Sequence, residues 1–172
     1  NSDFEAAAAL LYAEYQRHLH AYNAFDFDDL IMQPVRLLEE NAEARERWQA
    51  RVRHLLLDEY QDTNLAQYQL VRLLVGPATP FTAVGDDDQS IYTWRGADPA
   101  NLLRLQEDFP RLGVIKLEQN YRSSGCILKC ANHLISHNPH LFDKRLWSEL
   151  GYGSRLRVLQ CRDGEHEAER VV

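Results

Sequence analysis

Apolar and polar positions recur along the chain with two periods, which divide it into helices and short strands. Over residues 3–23, Leu11, Tyr15, Leu19 and Tyr22 fall on one helical face and Ala6 to Ala9 favour helix, so a first helix is predicted there. The stretch AFDFDDLIMQPVRLLEEN predicts a second, capped by Asp26 or Asp28, with Pro34 kinking or restarting it. Asn41 caps a third, running through Trp48. Residues 52–57 (VRHLLL) read as a strand. A helix follows over 64–75, with Leu65, Tyr68, Val71 and Val75 on one side and Gly76-Pro77 as its stop. Phe81 to Val84 is a second strand, ending at Gly85. Asp98-Pro99 pairs an N-cap with a proline at the first helical position, which predicts a short helix over 99–107. Val114 to Leu117 is a third strand. Ser123 or Ser124 then caps a helix with Ile127, Leu128, Ala131, Leu134 and Ile135 inward, ended by Asn138-Pro139. After the loop ELGYGS come a fourth strand, Leu156 to Leu159, and a helix from His166 onward.

Strands alternating with helices imply crossover connections and a parallel α/β sheet, and short apolar strands buried on both faces suit that class. A candidate domain boundary lies near 148–154. The 172 residues are 45% hydrophobic and 26% charged, an ordinary globular balance and enough chain for a sizeable core. No apolar run approaches the ~18 residues of a membrane span, and Asn1-Ser2-Asp3 opens a helix-like segment instead of a signal. Cys126, Cys130 and Cys161 are an odd set, expected to be reduced, and they offer too few ligands for a metal site. The net charge of −7 argues against a surface that wraps nucleic acid but leaves room for a local groove. Sixteen of the 19 basic residues are Arg; the lysines are Lys116, Lys129 and Lys144.

In parallel α/β sheets ligands bind beyond the carboxyl ends of the strands. Three predicted ends carry chemistry here: Asp58-Glu59, then Gly85-Asp86-Asp87-Asp88-Gln89, then Glu118-Gln119-Asn120-Tyr121-Arg122. An Asp-Glu pair after an apolar strand suits metal-assisted phosphoryl transfer: one carboxylate holds Mg²⁺ and the next orients or deprotonates the attacking water. Asp62, by contrast, reads as the cap of the helix at 64–75. In GDDDQSIYTWRGA, Tyr92 and Trp94 alternate in direction if the loop is extended, and Arg95 adjoins them. Aromatic rings beside Arg stack nucleobases and hold phosphates; the plainer reading is a packed Trp with a surface Arg. Gln89 is placed to contact a γ-phosphate, or is a surface amide. In NYRSS, Tyr121 and Arg122 precede a helix whose N-terminus attracts anions; the plainer reading is an Arg paired with a carboxylate.

Taken in order, DEYQDTN, GDDDQSIYTWRGA and LEQNYRSS resemble motifs II, III and IV of the superfamily-1 helicases of the UvrD/Rep/PcrA group. FDFDDLI is similar to the segment that returns the chain to the first motor domain, and KRLWSELGYG leans toward the Rep branch. The likeness covers essentially the whole chain. It implies a partial RecA-like P-loop NTPase fold. Residues 1–23 would be the helical tail of an inserted domain (1B), 24–148 the second half of motor domain 1A, and 149–172 the start of 2A. It further implies ATP and Mg²⁺ as cofactors, with Asp58 on the metal, Glu59 as general base, Gln89 sensing the γ-phosphate, Tyr121 stacking on adenine and Arg122 on the γ-phosphate. Tyr92, Trp94 and Arg95 would contact single-stranded DNA. The implied activity is 3′→5′ translocation on single-stranded DNA and unwinding of 3′-tailed duplex, in replication or repair. The implied protein is a monomer or weak dimer in the bacterial cytosol, associated with the nucleoid, with the rest of the helicase chain as partner and no membrane. The family also needs a P-loop, G-x-x-x-x-G-K-[ST], and none of the three lysines has that context. The chain therefore reads as an internal piece, expected to be inactive alone. Two other classes compete: a binding module that keeps the fold without turnover, and a metal-dependent nuclease or phosphatase built on Asp86 to Asp88.

Overall fold

Three consecutive leucines, Leu55–Leu57, form strand β1, and Phe81–Ala83 forms β2. The two pair in parallel with Leu55 opposite Phe81, Leu56 opposite Thr82 and Leu57 opposite Ala83. In this computed structural model, residues 2–76 and 79–172 are described; Asn1 and the Pro77 half of the Gly76-Pro77 stop lie outside them. The described chain falls into two compact units, Asn1–Arg111 and Leu112–Val172. This division comes earlier than the boundary suggested by the glycine loop near 148–154.

In the first unit, helices α1 (Ser2–Tyr22), α2 (Asp29–Glu40) and α3 (Ala42–Arg51) precede β1, α4 (Leu65–Leu74) joins β1 to β2, and α5 (Asn101–Asp108) follows. A parallel pair needs a crossover, and α4 supplies it. Helix α2 begins where Asp26 accepts the Asp29 N–H at 2.8 Å; Asp28 occupies the capping position without making a side-chain cap. The helix runs unbroken through Pro34, so the expected restart does not occur. Burial of Val35 and Leu38 against the unit's interior outweighs the one backbone bond that proline removes. Asn41 caps α3 as expected, accepting from Ala44 N at 2.9 Å.

The cap of α4 corrects the sequence reading. Asn64, not Asp62, holds it, accepting from Gln67 N while the Gln67 side chain accepts from Asn64 N, both at 2.9 Å. This reciprocal box satisfies two otherwise orphaned amides. Asp62 instead lies in a 3-10 turn, Tyr60–Asp62. Tyr68 and Val71 of α4 and its C-cap Val75 are buried as predicted, whereas Leu65 is exposed. With Val35, Leu38, Tyr60 and Leu105 they make the core of this unit. Helix α2 packs on α4 and α3, and α5 packs behind the 3-10 turn. The predicted face of α1 finds no such cover: Leu11 is 70% and Tyr22 78% exposed.

In the second unit, α6 (Gly125–Ile135) and α7 (Gly164–Val171) form, but the predicted strands at 114–117 and 156–159 do not. A parallel strand exists only through ladder partners. Here pairing reduces to one parallel bridge between Gln119 and Trp147, and Ile115 and Leu117 are each 83% exposed. Of the expected inward face of α6, Leu128 is buried while Ile127 and Leu134 are exposed; Cys126 joins Leu128 inside. All three cysteines are free thiols. Among the described residues no helix is long and apolar enough to cross a membrane. The architecture is α/β, a small parallel sheet flanked by helices.

Candidate functional site

The strand pair brings two of the acidic loops together. Beyond Leu57 and Ala83 the backbone ladder continues: Val84 N donates to Leu57 O at 2.8 Å and Tyr60 N to Val84 O at 2.9 Å. Asp58-Glu59 and Gly85-Asp86 thus leave the same end of the sheet side by side. Asp58 and Glu59 are both exposed there. Asp58 Oδ1 accepts the Glu59 N–H at 2.9 Å, which fixes one of its two oxygens. Glu59 has left-handed backbone angles, φ 50° and ψ 43°. A residue with a Cβ pays about 1–2 kcal/mol for that conformation. The turn reverses the chain so that Tyr60 points inward, fully buried, while the Glu59 carboxylate stays at the surface.

Gln61 joins the two loops, a residue the sequence reading passed over. It is 1% exposed. Its Nε2 donates to Glu59 Oε2 at 2.8 Å, and its Oε1 accepts the Asp86 N–H at 3.0 Å. Its carbonyl accepts from Ser90 Oγ at 3.3 Å. The available signal was an uncharged amide set between carboxylates in DEYQD. Asn101, fully buried, ties the same region to α5 by donating to Thr63 O at 2.9 Å.

The loop after β2 is a run of short turns. Asp86 accepts from Asp88 N at 3.1 Å through Oδ1 and from Gln89 Nε2 at 2.7 Å through Oδ2. Gln89 is exposed and held on Asp86. Both Asp86 oxygens thus accept hydrogen bonds within the loop. Residues Thr93–Arg95 form a 3-10 turn, closed by Gly96 at φ +83°. The loop is therefore not extended, and Tyr92 and Trp94 do not alternate as expected. Their ring centroids are 6.4 Å apart, and the Arg95 guanidinium lies over both, 5.5 Å from Tyr92 and 4.6 Å from Trp94. Trp94 is 73% exposed, so the packed-core reading of this ring fails. The cluster is a cation–π surface patch.

Beneath the site lie two buried tyrosines. Tyr60 makes no hydrogen bond through its hydroxyl among the described residues, and neither does the buried Oδ1 of Asp62. Burial, with the nearby Asp108 charge, pushes the Tyr60 hydroxyl above its ordinary range. Tyr68 is raised too, by burial first and then by its hydrogen bond to Asp108, which also pairs with Arg72 at 3.1 Å.

Tyr121 and Arg122 belong to the second unit, and no sheet end presents them. The Asn120 side chain accepts from Arg122 N at 3.0 Å and Ser123 N at 2.8 Å, which turns the chain toward α6. Tyr121 is 78% exposed, its hydroxyl donating to Gln119 Oε1 at 2.9 Å, and Arg122 is exposed. The first amides of α6 are already taken. Gly125 N donates to Gly151 O and Cys126 N to Tyr152 O, both at 2.8 Å, so these two do not face an anion.

A parallel strand that delivers an Asp-Glu pair beside a Gly-Asp-Asp-Asp-Gln loop, followed by an exposed Tyr-Thr-Trp-Arg turn, defines a class. The chain belongs to the UvrD/REP helicase family: residues 1–110 match the UvrD/REP helicase N-terminal domain, and 115–172 the UvrD-like helicase C-terminal domain. Among individual proteins, it is 65% identical over 161 residues to proteins named ATP-dependent DNA helicase Rep from Salmonella typhimurium and from Escherichia coli, covering 94% of this chain and 24% of each of theirs. It is 41% identical over its whole length to DNA helicase II of Rickettsia typhi, covering 26% of that protein. The chain thus spans about a quarter of the length of the curated relatives it matches.

Proposed function

We propose that the chain is part of an ATP-dependent DNA helicase that moves 3′→5′ on single-stranded DNA and opens 3′-tailed duplex. The observation that carries this reading is the exposed Asp58-Glu59 pair, set at the carboxyl end of β1 and fastened through Gln61 to the loop holding Gln89, Tyr92, Trp94 and Arg95. RecA-like architecture is part of the proposal; the parallel strand pair with its α4 crossover supports it. The change of matched family between 110 and 115, together with the division at Arg111–Leu112, supports an entry into the second motor domain there, ahead of residue 149.

The donor set fits Mg²⁺ and ATP. Asp58 offers a hard carboxylate oxygen of the kind Mg²⁺ prefers, and it is exposed with only one oxygen held by Glu59 N. When bound, Mg²⁺ neutralises charge on the terminal phosphates. Glu59 accepts a proton from the attacking water. Gln89 answers the γ-phosphate by leaving Asp86. Tyr121 supplies a ring face for adenine and Arg122 a charge for the γ-phosphate. Trp94 and Tyr92 offer ring faces to unpaired bases, with Arg95 beside the DNA backbone.

The test is Glu59→Gln in the full-length protein. The variant binds ATP, and its turnover falls about 10²–10⁴-fold, the size of a lost general base. Undiminished turnover in a steady-state phosphate-release assay would remove the assignment.

A further inference from the structure

Gln61 is a fully buried amide in the candidate site, and both ends of its side chain are committed. The Nε2 end holds Glu59 Oε2 at 2.8 Å and the Oε1 end holds the Asp86 amide at 3.0 Å. Three features make these bonds consequential. First, Glu59 is exposed, and the Gln61 amide is the hydrogen-bond partner of its carboxylate among the described residues. Secondly, Asp86 in turn holds Gln89, so the chain of contacts runs Glu59, Gln61, Asp86, Gln89. Thirdly, the loop side of the contact is close. A Cβ on Gly85 would stand 3.0 Å from Gln61 Oε1 and 3.4 Å from Gln61 N, so glycine leaves the room the amide needs.

We propose that Gln61 is a positioning residue: it aims the Glu59 carboxylate and makes that aim depend on the conformation of the 85–97 loop, which carries the proposed phosphate sensor and DNA-stacking rings. The inference rests on the general-base reading of Glu59. An amide can perform this task where a carboxylate or an apolar side chain cannot. It donates at one end and accepts at the other, so a shift of Asp86 by the loop is passed to Glu59 through one planar group. A DNA-induced movement of the Tyr92–Arg95 turn then reaches the base without any direct contact between DNA and Glu59.

The experiment uses the full-length helicase and compares Gln61→Met, Gln61→Glu and Gly85→Ala with Glu59→Gln. Gln61→Met keeps the volume and removes both bonds. Gln61→Glu keeps the acceptor for Asp86 N and replaces the donor with a charge that repels Glu59. Gly85→Ala leaves Gln61 in place and crowds its oxygen. The expected result is a fall in kcat of about 10- to 100-fold for both Gln61 variants, the scale of a misaimed catalytic group. KM for ATP stays within about twofold, the signature of a loss confined to the transition state. The ratio of DNA-stimulated to basal turnover drops with kcat, and Gly85→Ala shows the same pattern more weakly. If the Gln61 variants do not fold, Gly85→Ala decides alone, and an unchanged kcat there overturns the proposal. Should Glu59→Gln be inactive while Gln61→Met or Gln61→Glu keeps full kcat, the general base stands and the positioning role falls. Should Glu59→Gln turn over ATP normally, both readings fall.

Discussion

At the scale of single residues, the chain spends stability where chemistry is expected. Glu59 occupies a backbone region that favours glycine, and Asp62 and Tyr60 each bury a polar atom that has no hydrogen-bond partner among the described residues. Such burial costs about 1–3 kcal/mol per group, an expense concentrated in the five residues after β1. The two buried tyrosines give this a measurable pH dependence. Their folded-state ionisation lies above the ordinary tyrosine range of about 10 that holds in the unfolded chain. The stability they confer is therefore fully present below about pH 10. It is lost as pH rises past that value toward their folded-state range. Denaturant titrations across the alkaline range are expected to show a steep loss of stability accompanied by late tyrosinate absorbance. Tyr68→Phe should flatten the loss, and a variant with the same alkaline slope as the parent would contradict this.

At the scale of elements, what the sequence discloses follows the range of the forces involved. Helices α1 to α4 are legible because their apolar spacing and caps are local. Asn41 is an example, as are the buried Tyr68, Val71 and Val75. Asp62 misled as a cap because Asn64 lies two residues later with Gln67 at the reciprocal position, a stronger box than a lone carboxylate. The strands at 114–117 and 156–159 were misread for a different reason. Apolar runs state a readiness to pair, while pairing itself depends on a neighbour, and here only Gln119 and Trp147 meet. Gln61 was invisible because its partner Asp86 is 25 positions away and arrives only through the register of β1 on β2. The α4 box also yields a prediction. Asn64→Ala should lower stability by about 1 kcal/mol, the usual worth of an N-cap, read as a shift in the denaturation midpoint. Gln67→Ala should lose part of the same increment, and the double variant less than the sum, since both residues serve one motif. Full additivity would mean the box is not cooperative.

At the scale of the whole molecule, two compact units carry different shares of the proposed machinery: Asp58, Glu59, Gln89 and the Tyr92–Arg95 turn in one, Tyr121 and Arg122 in the other. Within the 172 residues no G-x-x-x-x-G-K-[ST] cradle for phosphates occurs. The chain by itself is therefore expected to release no phosphate from ATP above background, with or without single-stranded DNA. DNA-stimulated release by the purified 172 residues would contradict the reading. A last consequence comes from the two glycines that follow Leu150. Gly151 and Gly153 both adopt positive φ, a backbone region that favours glycine. Yet the carbonyls of Gly151 and Tyr152 are clamped by the first amides of α6, and a side chain at Gly153 would strike Ser124. This bend is a weld. In the proposed motor, the glycine bend and the start of α6 are therefore expected to move together.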